Sequence, residues 1–288
     1  MNTIQNLVLA SIDGSPLTDA VCDYAAWIAQ KVDAPLKLLH TIDHHPEHAH
    51  STDITGNIGV DSRDRLLDQL TQLEQQRSKL RLQQGKQLLQ AARERAMQAG
   101  VLDPITNQRH GSLVESLIEL ENELRVLVIG VRGKVHENQA DKIGAKLESI
   151  IRSLHKPILV VNAEFKAPER IMLAYDGSQA AEKALEMVAA SPLYKGLTCH
   201  LVCVSQDEGK GQLLDVAANK LRLAGGIEVI AKRLIGKPEQ VLCDYQDQHG
   251  IDLTEMGTFR HTRIHDWLLG SVTVKMLTHS RKPLLLLR

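Results

Sequence analysis

The segment that decides the fold is Asn6-Leu-Val-Leu-Ala-Ser-Ile-Asp-Gly-Ser15, a short apolar run that ends at an Asp-Gly turn. It recurs as Arg170-Ile-Met-Leu-Ala-Tyr-Asp-Gly-Ser178. A second segment, Lys156-Pro-Ile-Leu-Val-Val161, recurs as Lys282-Pro-Leu-Leu-Leu-Leu287. The chain is therefore an internal repeat of two units that begin and end alike.

Within the second copy, short apolar runs alternate with stretches whose apolar residues have helical spacing. Five strands and four helices are predicted between Arg170 and Leu287. Such alternation predicts a parallel sheet that is buried on both faces and joined by right-handed crossovers. The predicted fold class is α/β, with two tandem doubly wound units that each contain a five-stranded, mostly parallel sheet. We expect the domains at residues 1–163 and 169–288, joined by a short polar linker.

Composition excludes several classes of protein. The 288 residues include 34 Lys plus Arg, 35 Asp plus Glu, and only 3% aromatic residues. Nucleic acid is therefore a disfavoured partner, because it is bound through positive charge and aromatic stacking. No run approaches the roughly 18 apolar residues of a membrane helix, so no membrane insertion is expected. The N-terminus also lacks the basic start of a secretion signal, and we expect a cytoplasmic protein.

The second copy carries the candidate binding site. Ligands of doubly wound sheets bind beyond the carboxyl ends of the strands, where the strand order reverses. Gly257 follows the fourth strand, and Gly270-Ser-Val-Thr273 begins the last helix, whose free N–H groups favour an anion. Arg260 lies in the loop between them. It would bring positive charge to a phosphate, although a solvated basic loop explains it equally well.

These motifs resemble the universal stress protein family, whose signature is Gly, two residues, Gly, nine residues, then Gly-Ser or Gly-Thr. Gly257, Gly270 and Ser271 match that spacing, and Arg260 stands in the place of the second glycine. The resemblance covers nearly all of the chain in two copies. It implies an adenine nucleotide alpha hydrolase-like fold and ATP as the ligand, with or without Mg.

The resemblance also implies roles for individual residues of the second copy. Asp176 would contact the adenosine, the backbone of Val204 would hold the adenine, and Gly257 would lie against the ribose. The phosphates would rest on Gly270, Ser271, Val272 and Thr273, with Arg260 beside them.

The first copy resembles the family less closely and is expected to hold a weaker site. Ten residues instead of nine separate Gly133 from Gly144, and Ala145 lacks the hydroxyl group of the expected serine. The positions that would form this weaker site are Asp13, Thr41, Gly130, Gly133 and Gly144.

Two residues of the second copy depart from the family pattern. Arg260 replaces a glycine, and it would either clamp a phosphate or fill the site. Glu255 lies within a strand that is usually apolar in the family. Because an unpaired buried carboxylate is costly, we expect a cationic or hydrogen-bonding partner for Glu255.

The first copy contains an insertion. The opening aspartates of the copies are 163 residues apart and the closing lysines 126, so the first copy has 37 extra residues, which we place between His44 and Gly100. A helix of about 55 Å is predicted from Arg63 to Ala99, and it should overhang the domain or break near Gly85. The predicted apolar face of this helix contains Leu66, Leu70, Leu73, Leu80, Leu88, Leu89 and Ala92. The helix would pack against the other domain or a second chain, or it would act as a ligand lid.

The histidine-rich stretch before that helix contains His44, His45, Glu47, His48 and His50. Imidazoles and a carboxylate suit a divalent transition metal, but the spacing is not distinctive. A solvated loop explains the stretch equally well. We expect no dedicated protein metal site.

Three functions remain open at this stage. The first is a nucleotide-binding regulatory protein of the stress response, with ATP mainly in the second copy. The second is a slow ATPase, although no catalytic set is recognisable and no catalytic residue is predicted. The third is a scaffold or small-ligand sensor with degenerate nucleotide sites.

The two closing strands are expected to pair with each other. The family commonly pairs subunits through its last strand, and here the runs 157–161 and 283–287 could do so within one chain as an internal pseudo-dimer. A homodimer of such chains is also expected, with the long helix offering a surface for it.

Overall fold

The computed structural model describes residues 6–42, 60–131, 144–258 and 270–288, with side chains in the long helix described from residue 69 onward. Strands and helices alternate throughout these ranges. The elements of the amino-terminal half are β1 (Leu7–Ser11), α1 (Thr18–Lys31), β2 (Leu36–Ile42), α2 (Val60–Gln98), β3 (Ile105–His110), α3 (Leu113–Leu120), β4 (Leu124–Gly130), α4 (Ala145–Ser153) and β5 (Ile158–Val161).

The carboxyl-terminal half repeats this order. Its elements are β6 (Arg170–Ala174), α5 (Gln179–Ala190), β7 (Thr198–Val204), α6 (Gly209–Ala224), β8 (Glu228–Leu234), α7 (Pro238–His249), β9 (Leu253–Gly257), α8 (Ser271–His279) and β10 (Leu284–Leu287). The predicted alternation of five strands with four helices is confirmed for this half. The order of strands and helices could be predicted because apolar runs mark the strands and Gly or Asp-Gly marks their ends.

All ten strands form one sheet in the order β3-β2-β1-β4-β5-β10-β9-β6-β7-β8. The pairs within each half are parallel, and both halves have the same internal order. β5 and β10 pair antiparallel, with Leu285 opposite Leu159. The predicted α/β class and the predicted pairing of the closing strands are both confirmed.

Helices cover both faces of the sheet. One hydrophobic cluster packs α1, α2, α5 and α6 against one face, and a second packs α3, α4, α7 and α8 against the other. The residues of β1, β5 and β10 are all buried, so these strands are apolar without alternation. That pattern is typical of a parallel sheet enclosed between two helical layers.

The connection between β5 and β6 docks against both halves. The ring of Phe165 meets Tyr24 of α1 edge-on at 4.8 Å between centroids. The ammonium of Lys166 is 2.6 Å from the carboxylate of buried Asp252. Burial alone would raise the pKa of Asp252, but the hydrogen bond from Lys166 and those from the Glu169 and Arg170 amides outweigh it and lower that pKa. The division into domains 1–163 and 169–288 stays a prediction.

The long helix α2 is the counterpart of α6 with an amino-terminal extension. Its buried residues Leu89, Ala92 and Ala96 occupy the places of Leu214, Ala217 and Leu221, 125 positions later. By this alignment the start of α6 corresponds to residue 84, so residues 60–83 are additional helix. None of the described helices is long and apolar enough to cross a bilayer.

The helix does not break at Gly85. A side chain there would collide with Gln108 and would lie 2.7 Å from the ring of His40, so the glycine allows close packing of α2 on β2 and β3. Packing therefore offsets the low helix propensity of glycine. Of the two outcomes that the sequence left open, the structure shows a continuous helix whose first part overhangs the domain.

Candidate functional site

The two halves place equivalent residues at the carboxyl edge of the sheet. Ser11 lies opposite Leu39 in the first half, and Ala174 lies opposite Val202 in the second. Two residues further along, Thr41 therefore stands where Val204 stands. The sheet also reverses its strand order between β1 and β4 and between β6 and β9. The candidate residues lie at these reversal points, where doubly wound proteins bind ligands.

The same comparison aligns the strands that lead to the glycines. Val128 lies opposite Ala10, and Glu255 lies opposite Leu173, the residue equivalent to Ala10. Two residues on, Gly130 and Gly257 are consequently equivalent. The sequence repeat is thus preserved in the strand register on both sides of each reversal point.

Asp176 organises the turn after β6. Its Oδ1 accepts a hydrogen bond of 2.9 Å from the amide of Ser178, and Gly177 between them has a φ of 78°. The Ser178 hydroxyl in turn accepts from the amide of Ala181 and caps α5. The side chain of Asp176 is exposed. The turn therefore fixes the carboxylate at the strand end while leaving it accessible.

Asp13 organises the corresponding turn of the first half. Its Oδ1 accepts from the amide of Ser15 at 3.0 Å and from the hydroxyl of Thr18 at 3.3 Å. Gly14 takes the left-handed conformation with a φ of 73°. Because Thr18 adds a second donor to the same oxygen, this carboxylate is held more tightly by its own turn than Asp176 is.

Gly257 is required by packing between elements. A Cβ at this position would lie 2.5 Å from the carbonyl oxygen of Ala180 and 3.0 Å from the amide nitrogen of Ala181. The first turn of α5 therefore occupies the space beside the strand end. Close packing on α5 is therefore a physical reason for the glycine that does not involve a ligand. Its proposed contact with a ribose stays a prediction.

The last helix of the second half begins without a side-chain cap. Gly270 is the N-cap residue of α8, and no side chain of the described residues caps the first-turn amides. Ser271 is exposed, Val272 is half-buried and Thr273 is buried. Uncapped amides together with the helix dipole make such a start attractive to an anion.

The equivalent helix of the first half has the same backbone but different chemistry. Gly144 is the N-cap residue of α4, again with no side-chain cap, and it is followed by exposed Ala145. The first half therefore offers the amides without the hydroxyl that Ser271 provides in the second.

Lys210 is a residue of this edge that the sequence interpretation missed. Its Nζ donates a 2.9 Å hydrogen bond to the backbone carbonyl of Asp176 and lies beside Gly177. In the alignment of α6 with α2, the corresponding position is Gly85. Lys210 thus places a cation beside the candidate site of the second half, whereas the aligned residue of the first half has no side chain. Aligning the buried positions of the two helices would have revealed this difference.

Glu255 is buried beside the phenol of Tyr194. It is 0% exposed, and neither carboxyl oxygen makes a hydrogen bond of standard geometry within the described part of the chain. Burial raises its pKa to about 8, although the facing Tyr194 phenol lowers it in part. No described cation pairs with this carboxyl, and the Tyr194 phenol acts on it without a standard hydrogen bond, so the expectation of a cationic or hydrogen-bonding partner stays a prediction.

Several candidate residues lie outside the described residues. They are Gly133 and Arg260 of the two signature segments, and the histidines of the stretches 44–50 and 261–265. Within the described ranges, no cluster of three or more His, Cys, Asp or Glu side chains has metal-binding geometry.

The fold and the edge geometry define a class: a tandem, doubly wound α/β protein with a Gly-initiated helix at each reversal point. The model of the universal stress protein family matches residues 6–162 and 204–288. Universal stress protein Slr1230 of Synechocystis sp. is 32% identical over 288 residues, covering 99% of this chain and 100% of that protein. The chain belongs to the universal stress protein family.

Solved structures share the whole fold. A universal stress protein from Archaeoglobus fulgidus DSM 4304 matches with a TM-score of 0.73 and 19% identity, covering 100% of this chain and 99% of that one. A functionally unknown protein from Pseudomonas aeruginosa PAO1 matches with a TM-score of 0.58 and 14% identity, covering 99% and 92%. The tandem arrangement thus has counterparts of the same length.

Proposed function

We propose that this chain is a nucleotide-binding regulatory protein of the stress response that binds ATP mainly in its carboxyl-terminal half. Occupancy of that site would change the geometry of the two halves or of a homodimer. The protein would act in the cytoplasm, and nucleotide binding rather than turnover would be its activity.

The observation that carries the proposal is the difference between two equivalent edges. In the second half, Asp176 is accessible, the start of α8 combines uncapped amides with Ser271, and Lys210 adds a positive charge. An adenine nucleotide has a polar nucleoside and an anionic tail, and these groups match both kinds of contact. The first half has Ala145 and Gly85 at the positions aligned with Ser271 and Lys210, which supports a weaker site there.

Magnesium would enter with the nucleotide. Mg²⁺ usually keeps several waters and is held by substrate phosphates plus one or two carboxylates. Asp176 is a carboxylate at the proposed site, and no preformed protein cage is needed. Removal of Mg²⁺ should therefore weaken triphosphate binding without unfolding the protein.

The proposal is tested by identifying what the purified protein carries. The protein is denatured with acid, and the released small molecules are separated by ion-pair chromatography and identified by mass. We expect an adenine nucleotide, present at a lower ratio in a Ser271→Ala variant than in a Ser112→Ala control at the start of α3. If neither the protein as purified nor the protein incubated with ATP retains any nucleotide, the third function, a sensor of another ligand, replaces this one. Steady release of inorganic phosphate would instead favour the slow ATPase.

A further inference from the structure

The extension of α2 is a surface that nucleotide binding does not explain. Residues 60–83 add about 36 Å of helix at 1.5 Å per residue. Side chains 69–84 are exposed except for half-buried Leu82. We call residues 69–84 the overhanging section.

The overhanging section has an apolar stripe. Leu70, Leu73 and Leu80 are 49%, 54% and 57% exposed. Their separations of three and seven residues fit the 3.5-residue repeat by which two helices pack side by side. The stripe therefore has the spacing of a helix interface rather than of scattered surface leucines.

This stripe does not continue the face that α2 buries in its own half. Leu80 and the buried Leu89 are nine residues apart, which is two and a half helical turns, so they lie on opposite sides of the helix. The sequence interpretation placed both on one face, and that placement is wrong. Because the helix is continuous through Gly85, it cannot turn the stripe onto its own core.

The charges along the extension change sign halfway. Residues 61–76 include four acidic and two basic residues, whereas residues 77–86 include four basic residues and no acidic one. Two such helices would repel each other in parallel and attract each other in antiparallel orientation.

We propose that the overhanging section binds the same section of a second copy of this chain, with the two helices antiparallel. A twofold axis near residues 76 and 77 makes the contact self-complementary, as a closed dimer requires. It brings Leu73 close to Leu80 of the partner subunit and Glu74 close to Lys79 of the partner subunit. The contact does not involve the nucleotide, so a test of the contact is independent of a test of the proposed function.

The first test is the oligomeric state in sedimentation velocity. The variant Leu73→Glu/Leu80→Glu puts charges into the stripe, and Val216→Glu/Leu223→Glu on α6 is the matched control, since those residues are 59% and 88% exposed. We expect dimers for the unmodified protein and the control, and monomers for the stripe variant with an unchanged far-ultraviolet circular dichroism spectrum. A monomeric unmodified protein overturns the proposal. An equally dimeric stripe variant overturns it too.

The second test measures the orientation without altering the stripe. Spin labels are attached at Gln76→Cys or Gln83→Cys in a Cys243→Ser background, since the other three cysteines are buried. In the antiparallel pair, residue 76 lies beside its symmetry mate, whereas residue 83 and its mate are about 20 Å apart along the axis. Double electron–electron resonance should therefore give a much longer distance between the two labels at residue 83 than between the two labels at residue 76. Equal short distances at both positions, or no intermolecular coupling at either, contradict the proposal.

Discussion

Leu285 of β10 lies directly opposite Leu159 of β5, and both side chains are buried in the cluster that spans the two halves. The pair stands at the one antiparallel junction of the described sheet, where each half covers the open edge of the other. An uncovered sheet edge is a site for unwanted pairing, so this junction also protects the chain.

We predict that these two leucines are energetically coupled. Leu159→Ala and Leu285→Ala should each lower the free energy of unfolding by about 2–5 kcal/mol, because each leaves a cavity in a packed core. Urea denaturation of the single and double variants should show non-additivity of at least about 0.5 kcal/mol. Leu223→Ala, at an 88% exposed position, serves as the control and should have little effect. Strictly additive losses would contradict contact across the junction.

Glu255 predicts an unusual dependence of stability on pH. The pKa of this carboxyl is about 8 in the folded protein and 4.5 in its ordinary environment. Between those values only the folded state keeps the proton, so the free energy of unfolding falls by about 1.4 kcal/mol for each pH unit of increase. The stabilising protonated form is fully present below the lower value and is lost as the pH rises through the higher one.

Glu255→Gln should remove this contribution, since an amide does not titrate. Denaturation from about pH 5 to about pH 9 should show a shallower decline for the variant than for the unmodified protein. The exposed Glu186→Gln on α5 provides a comparison and should retain the original slope. Parallel pH profiles for the Glu255→Gln variant and the unmodified protein would argue against the buried, protonated carboxyl.

Gly257 and Gly144 should respond differently to a methyl group. Gly257→Ala drives a Cβ into the backbone of α5 at 2.5 Å, whereas a Cβ at Gly144 meets nothing within 4 Å. We expect Gly257→Ala to lose about 1–3 kcal/mol of stability through overpacking and Gly144→Ala to lose little. Thermal unfolding of both variants measures the difference. Equal stability of the two would mean that α5 does not press on the strand end.

Much of this fold could be predicted because the repeat encodes it twice. The Asp-Gly turn after β1 and β6, and the apolar runs that close each half, locate the reversal points without any structure. The class of fold and the pairing of β5 with β10 follow from those elements. The candidate positions at the sheet edge follow from the same repeat.

What sequence could not reveal depends on contacts between distant segments. Gly85 does not break α2 because His40 and Gln108 need the space that a side chain would take. Gly257 faces a helix that begins some 80 residues earlier in the chain. The burial of Glu255 beside Tyr194 likewise depends on the three-dimensional surroundings of the strand, which residue spacing does not report.

Lys210 should strengthen nucleotide binding in the second half only. Lys210→Met is expected to weaken ATP affinity about two- to fivefold, the effect of one partly exposed charge, and to reduce its salt dependence. Lys183→Met, which removes an exposed charge on α5, should leave both quantities unchanged. Titration at two salt concentrations makes the comparison. Unchanged affinity in Lys210→Met would place the phosphates away from α6.

The most direct measurement of the central claim is isothermal titration of the intact chain with ATP and Mg²⁺, comparing Asp176→Ala with Asp13→Ala. The account predicts one strong site per chain that Asp13→Ala retains and Asp176→Ala weakens severely. No binding heat from the unmodified protein, or loss of the strong site in Asp13→Ala alone, would contradict it.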